Sequence, residues 1–299
     1  MTRTVLASST SSLAWGAAAW AVAACVATSP AQAQAPFSEP RQAADALVAA
    51  VEARDNAALA RVLGPQWRTL LPPEGVAPED RDAFLEKARQ STTVNVKDGH
   101  ADVVVGTDAW VLPIPLLQGW NGRWRFDMHG AREALLERRI GDNEHSAIQA
   151  SLAYLDAQRE YALADRDGDG LLEYAQKLIS TPGRRDGLIW SQDLGDDSPL
   201  GEDYLPKDGR QGYHGYRFKI LTGQGTGAQD GARTYVIGKR MIAGFGLLAW
   251  PLDYGRSGVM SFIVNQDGVV YERDLGPQTS YVAAGMQRFD PDGSWNKAK

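Results

Sequence analysis

Twice along this chain the spacing of apolar residues changes from helical to alternating, and no other feature narrows its possible folds as much. Ala43, Leu47, Val48 and Val51 recur at helical spacing, and Leu59, Val62 and Leu63 form a second short apolar face after Asp55, which is placed to cap it. A third helix is predicted over 78–89. Val94, Val96, Ala101, Val103 and Val105 then alternate with polar residues around Asp98-Gly99, which reads as a hairpin and its turn. Residues 110–117 and 122–126 read as two more strands. The same order then returns. Residues 131–140 and 144–164 read as helices parted by Gly141-Asp142-Asn143-Glu144, and 213–221, 234–237, 241–250, 258–264 and 269–273 read as strands. Helices followed by antiparallel strands, twice over, predict an α+β protein of two units, 37–130 and 131–299.

The first 33 residues read as a signal peptide. Arg3 supplies a positive start, Leu13 to Ala27 is mostly apolar, and Ala31-x-Ala33 offers the small side chains that signal peptidase accepts. No later stretch approaches the roughly 20 apolar residues of a transmembrane helix. The expected product is an exported protein, periplasmic or extracellular. Its only cysteine, Cys25, follows Val22-Ala23-Ala24, which also fits the pattern at which bacterial lipoproteins are cleaved and acylated. Cleavage after Ala33 is the preferred reading, and a lipid anchor on Cys25 is the alternative. With either, the folded part has no disulfide, no thiol nucleophile and no cysteine-ligated zinc. The 31 Lys and Arg against 37 Asp and Glu, a net charge of -6, give no basic surplus for binding nucleic acid.

Asp165, Asp167 and Asp169 alternate in a loop that closes on Gly170, so three carboxylates can converge on one hard cation. The carbonyl of Leu171 and the carboxylate of Glu173 are the further ligands of this candidate calcium site. The position where a bidentate glutamate would complete an EF-hand loop is Gln176, and Asp186 is a second source of the missing ligand. The competing reading is a polar turn that ends a helix. His100, His129, His145 and His214 show no ligand spacing that would hold zinc. His214, Tyr216 and Arg217 are a candidate pocket, but a lone histidine without a placed acid, base or nucleophile specifies no chemistry. Residues 180–187 are dense in turn formers and read as a connecting loop whose Arg184 and Arg185 pair with neighbouring acids such as Asp186 and Asp193. No G-x-S-x-G or S-x-x-K set supports a serine hydrolase. Gly223-Gln224-Gly225-Thr226-Gly227 lacks the ending of a phosphate loop and reads as a flexible hairpin tip.

Pro113-Ile114-Pro115, the Asp-Gly run within Tyr161 to Tyr174, Ser180 to Trp190, Tyr213-His214-Gly215-Tyr216 and Gly258-Val259-Met260-Ser261-Phe262 follow one another in this order. With the alanine-rich export segment, they resemble the bacterial family known as domain of unknown function 2950. That resemblance covers nearly the whole mature chain and implies an exported protein, without supplying catalytic residues. By element order, the first unit resembles the cone-shaped nuclear-transport-factor-2-like folds. Gly215 to Phe218, Trp250-Pro251, Ser257-Gly258 and Asp267-Gly268-Val269 make the second similar to pilin-like domains, except that no membrane-inserting half-helix leads into it. With no complete catalytic set, the sequence is read as a non-catalytic binding or assembly protein of the envelope with an unidentified partner. A secreted hydrolase using a carboxylate or His214 is one alternative, and small-ligand binding in the first unit is another.

Overall fold

A computed structural model describes residues 33–70, 76–166, 168–201 and 212–298, so Cys25 and Asp167 lie outside the described residues. The chain is α+β. Helix α1 (Pro40–Glu52) and helix α2 (Asn56–Leu63) meet at Asp55, whose side chain accepts from the amides of Ala57 and Ala58 and so caps α2 as the sequence predicts. A 3-10 turn (Trp67–Leu70) follows, then α3 (Pro78–Gln90).

Strands β1 (Thr92–Lys97) and β2 (His100–Val105) form the expected hairpin, with Lys97 opposite His100 across Asp98-Gly99. The strand predicted over 110–117 is split into β3 (Trp110–Val111) and β4 (Leu116–Gln118), which lie end to end along β2. Pro113 and Pro115 have no N–H to give a ladder, and the break falls there. Strand β5 (Trp124–Phe126) completes the sheet in the order β1-β2-β4-β5. Phe37 pairs with Trp124, tying the segment before α1 to the sheet edge.

Helix α4 (Met128–Tyr161) corrects the two separate helices of the sequence reading, because it runs through Gly141 to Glu144 without interruption. One glycine costs a helix about 1 kcal/mol, which tertiary contacts easily offset. Asn143 donates to the Ser257 carbonyl at 2.8 Å, and the Glu144 carboxylate accepts from the amides of Val259 and Met260, both at 2.9 Å. Asn143 and Glu144 therefore anchor a distant loop.

Beyond α4 come β6 (Tyr216–Leu221), β7 (Gly223–Gln224), β8 (Arg233–Thr234), β9 (Val236–Ile237), β10 (Arg240–Met241), β11 (Gly246–Pro251), β12 (Met260–Asn265) and β13 (Tyr271–Asp274). Helix α5 (Thr279–Gly285), β14 (Arg288–Phe289) and β15 (Asn296–Lys297) follow, none of them anticipated from sequence. The main sheet, β15-β13-β12-β11-β6, is antiparallel throughout. It is covered on both faces. Leu247, Ala249, Phe262 and Val264 meet Tyr154 and Leu155 of α4, while Leu248 and Ile263 meet Ala283 of α5 and Phe289. Double coverage explains why 245–250 reads as an unbroken apolar run.

The 223–227 segment is also corrected. Gly223 and Gln224 form β7, parallel to β14, and Gln224 is fully buried, donating to the carbonyls of Gln229 and Gly231 while accepting from the Tyr235 hydroxyl. Gly225 is required by close approach, since a Cβ there would fall 2.1 Å from the carboxylate carbon of Asp290. A flexible tip would have none of these contacts.

Candidate functional site

A cavity of about 780 Å³ lies in the first half of the chain. Its floor follows from residues already needed for folding. Leu47 and Val51 from α1 and Leu59 and Leu63 from α2 extend the apolar faces that pack on the sheet. Asp80, Ala83, Phe84 and Lys87 line it from α3 at the i, i+3, i+4, i+7 spacing of one helix face, and Leu135 closes it from α4. The wall between the split strands is Trp110, Leu112, Pro113 and Ile114. The proline-broken edge thus opens the sheet where the cavity needs room.

Two tryptophans fix the aromatic part of the wall. Trp110 stands edge-on to Phe84 with ring centroids 6.3 Å apart, and the Arg138 guanidinium lies 5.6 Å above its ring while donating to the Val111 carbonyl at 2.9 Å. Trp67 is 8% exposed with the Arg68 guanidinium 4.6 Å over its ring, and its buried indole N–H meets no acceptor among the described residues. An unsatisfied donor of this kind costs about 1–3 kcal/mol. The charges on the wall are Arg54, Asp80, Arg81 and Lys87.

The pocket expected at His214, Tyr216 and Arg217 is only partly formed. A cavity of about 280 Å³ is lined by Tyr213, Tyr216, Arg217, Phe218 and Leu178, but His214 is not on its wall, and among the described residues neither is any Asp, Glu or other His. His214 sits at φ +46 and Gly215 at φ +71, the two left-handed positions of a tight turn closed by paired hydrogen bonds between Tyr213 and Tyr216. Burial pushes the Tyr216 hydroxyl well above the usual tyrosine range, and it donates to the Met260 carbonyl at 2.8 Å. A Cβ on Gly258 would fall 2.1 Å from that hydroxyl. These motif residues build a packed corner.

Around the acidic loop, the Asp165 carboxylate accepts from the amides of Gly168, Asp169 and Gly170. That of Asp169 accepts from the Leu171 amide at 2.9 Å and pairs with Arg240 of β10. Leu171 is exposed and Glu173 half-buried. Among the described residues, no three His, Cys, Asp or Glu side chains are grouped to hold a metal. In the 180–187 loop, Asp186 pairs with Lys177, and Arg185 pairs with Asp196 in place of the expected acids.

The sequence offers small-ligand binding in the first unit as an alternative but does not mark out this cavity, whose aliphatic members from α1 and α2 read as core. Its hallmark, a helix face offering Phe84 between Asp80 and Lys87, is visible only once α3 is placed over the sheet. Among the described residues no helix is long and apolar enough to cross a membrane. Neither the curated proteins nor the solved structures contain a match to this chain. A family model does match, over residues 34–298, and the chain therefore belongs to DUF2950, a family of proteins of unknown function.

Proposed function

We propose that this is an exported, non-catalytic binding protein that holds a small, largely apolar ligand in the cavity of its N-terminal half. The observation that carries this reading is the cavity itself. At about 780 Å³ it falls in the size range of small-molecule sites, and its aliphatic and aromatic lining with a few polar groups is the usual composition of one. The export segment supports a periplasmic or extracellular setting, and the family match begins just after the proposed cleavage at Ala33. Neither cavity brings together an acid, a base and a nucleophile among the described residues, so binding accounts for the geometry better than hydrolysis.

The test is titration of the mature protein with the neutral fluorophore N-phenyl-1-naphthylamine. One saturable site is expected. Ala83→Trp places a bulky ring on the exposed side of α3 that faces the cavity, and should weaken the probe at least about tenfold while leaving the thermal midpoint within about 2 °C. Absence of saturable binding, or undiminished binding to the variant, would overturn the proposal.

A further inference from the structure

The rim of the cavity is not neutral. Three cationic side chains, Arg54, Arg81 and Lys87, and one carboxylate, Asp80, belong to its wall. Arg81 is held by Asp82 at 2.6 Å, and Lys87 is paired with Asp108. Arg54 makes no ion pair among the described residues, because the acids beside it in sequence are committed elsewhere. Glu52 is bonded to Arg89 at 2.7 Å, while Asp55 caps α2 and faces Arg61 at 3.7 Å. One guanidinium is thus left on the edge of an apolar cavity, exposed and without an acceptor among the described residues.

Its backbone adds a second observation. The Arg54 amide donates to the Val51 carbonyl and the Asp55 amide to the Ala50 carbonyl, the paired bonds that close a helix C-terminus through a left-handed residue. Arg54 occupies that left-handed position at φ +51. Glycine adopts it at no steric cost, whereas a residue with a Cβ carries strain there. The Trp67 ring lines the same cavity, and its buried indole N–H meets no acceptor among the described residues.

Resting on the binding reading above, we propose that the ligand is a single-chain anionic amphiphile, its acidic head paired with Arg54 at the rim and its alkyl chain lying among Leu47, Leu59, Leu63, Phe84 and Trp110. A guanidinium offers a planar fork to a carboxylate or a phosphate, and such charge-assisted bonds are about twice as strong as neutral ones. A cationic head at that edge would be repelled by Arg54, the one cation of the wall that no acid among the described residues neutralises.

The experiment is displacement of N-phenyl-1-naphthylamine from the mature protein by dodecanoate, dodecyl phosphate, dodecan-1-ol and dodecyltrimethylammonium. Either anion should displace the probe at least about tenfold more effectively than the alcohol, and the cation least well. Arg54→Gln should abolish the anion preference, bringing both anions to the potency of the alcohol. Arg54→Gly, which suits the turn, should do the same. The relative potency of dodecanoate and dodecyl phosphate identifies the acidic head. Equal displacement by acid and alcohol in the unaltered protein would overturn the head-group assignment but leave the cavity reading standing, as would a preference retained in both Arg54 variants. Failure of the probe itself to bind would remove the cavity reading, and this proposal with it.

Discussion

Three donors converge on the carboxylate of Asp186: the Thr181 amide at 2.7 Å, the Thr181 hydroxyl at 2.9 Å and the Lys177 ammonium at 2.6 Å. Partial burial pushes the Asp186 carboxyl up, but these hydrogen bonds together outweigh burial and hold it at about 2, below its ordinary 3.8. A carboxyl whose folded value is depressed gives stability that is complete above the unfolded value and is lost as the pH falls through the folded one. The loss should therefore fall between about pH 4 and pH 2. Asp186→Asn should cost about 1 kcal/mol at pH 7, a modest amount because Lys177 is half exposed, and the variant should lose less stability than the unaltered protein across that window. Urea unfolding midpoints from pH 7 to pH 2 measure this, and parallel pH profiles would refute it. At this scale the sequence was informative about type but not about partner. Turn formers marked 180–187 as a loop, but the pairing of Asp186 with Lys177, not with the adjacent arginines, depends on how the loop folds back. Arg54 shows the same limit more sharply. Asp55 was readable as a cap, but nothing in the sequence indicated that the residue before it would be left-handed and face a cavity.

Helix α4 shows what periodicity misses at the next scale. Its buried residues from Ala147 to Tyr161 keep helical spacing, and that stretch was legible. Between Arg132 and Ser146 it buries almost nothing, so the pattern fades and Gly141-Asp142-Asn143-Glu144 looks like an end. The helix continues because Asn143 and Glu144 bind the 257–260 loop, a long-range reason that a local window does not contain. Gly141 is the weak point of this otherwise continuous rod. It is exposed, its φ is not in the left-handed region, and a Cβ built there meets nothing within 4 Å. Gly141→Ala should therefore stabilise the protein by about 1 kcal/mol through lower unfolded-state entropy and better helix propensity. A rise in urea midpoint without change in slope is the expected readout. A neutral or lower midpoint would mean that a bend at Gly141 is needed. Proline acts in the opposite sense at Pro113 and Pro115. The sequence showed both residues, yet the apolar alternation around them concealed that they cut one strand in two and open the cavity wall.

Over the whole molecule, the buried side chains fall into groups on either side of α4. One group, including Ala43, Leu47, Leu63, Val103, Val105, Leu116 and Phe126, draws only on residues before the middle of that helix. The others, including Tyr154, Leu247 and Phe262 on one face of the large sheet and Leu248, Ile263 and Phe289 on the opposite face, draw only on residues after it. No residue is shared among them, so the surface buried by one half does not depend directly on the other half remaining folded. Calorimetry of the protein should then show two transitions, not one. Leu63, 5% exposed, and Leu248, 0% exposed, are equivalent probes, since truncating either to alanine should cost about 3 kcal/mol locally. Leu63→Ala should lower one transition and Leu248→Ala the other. A ligand that binds only the folded N-terminal half stabilises that half by mass action, so the naphthylamine probe should raise only the transition that Leu63→Ala lowers. A single transition moved by all three perturbations would show that α4 couples the halves into one cooperative unit, and ligand binding would then be felt through the whole chain. The alternative outcome, two transitions with only one sensitive to the probe, would assign binding to the N-terminal half and leave the large sheet and its covering helices as a separately stable body.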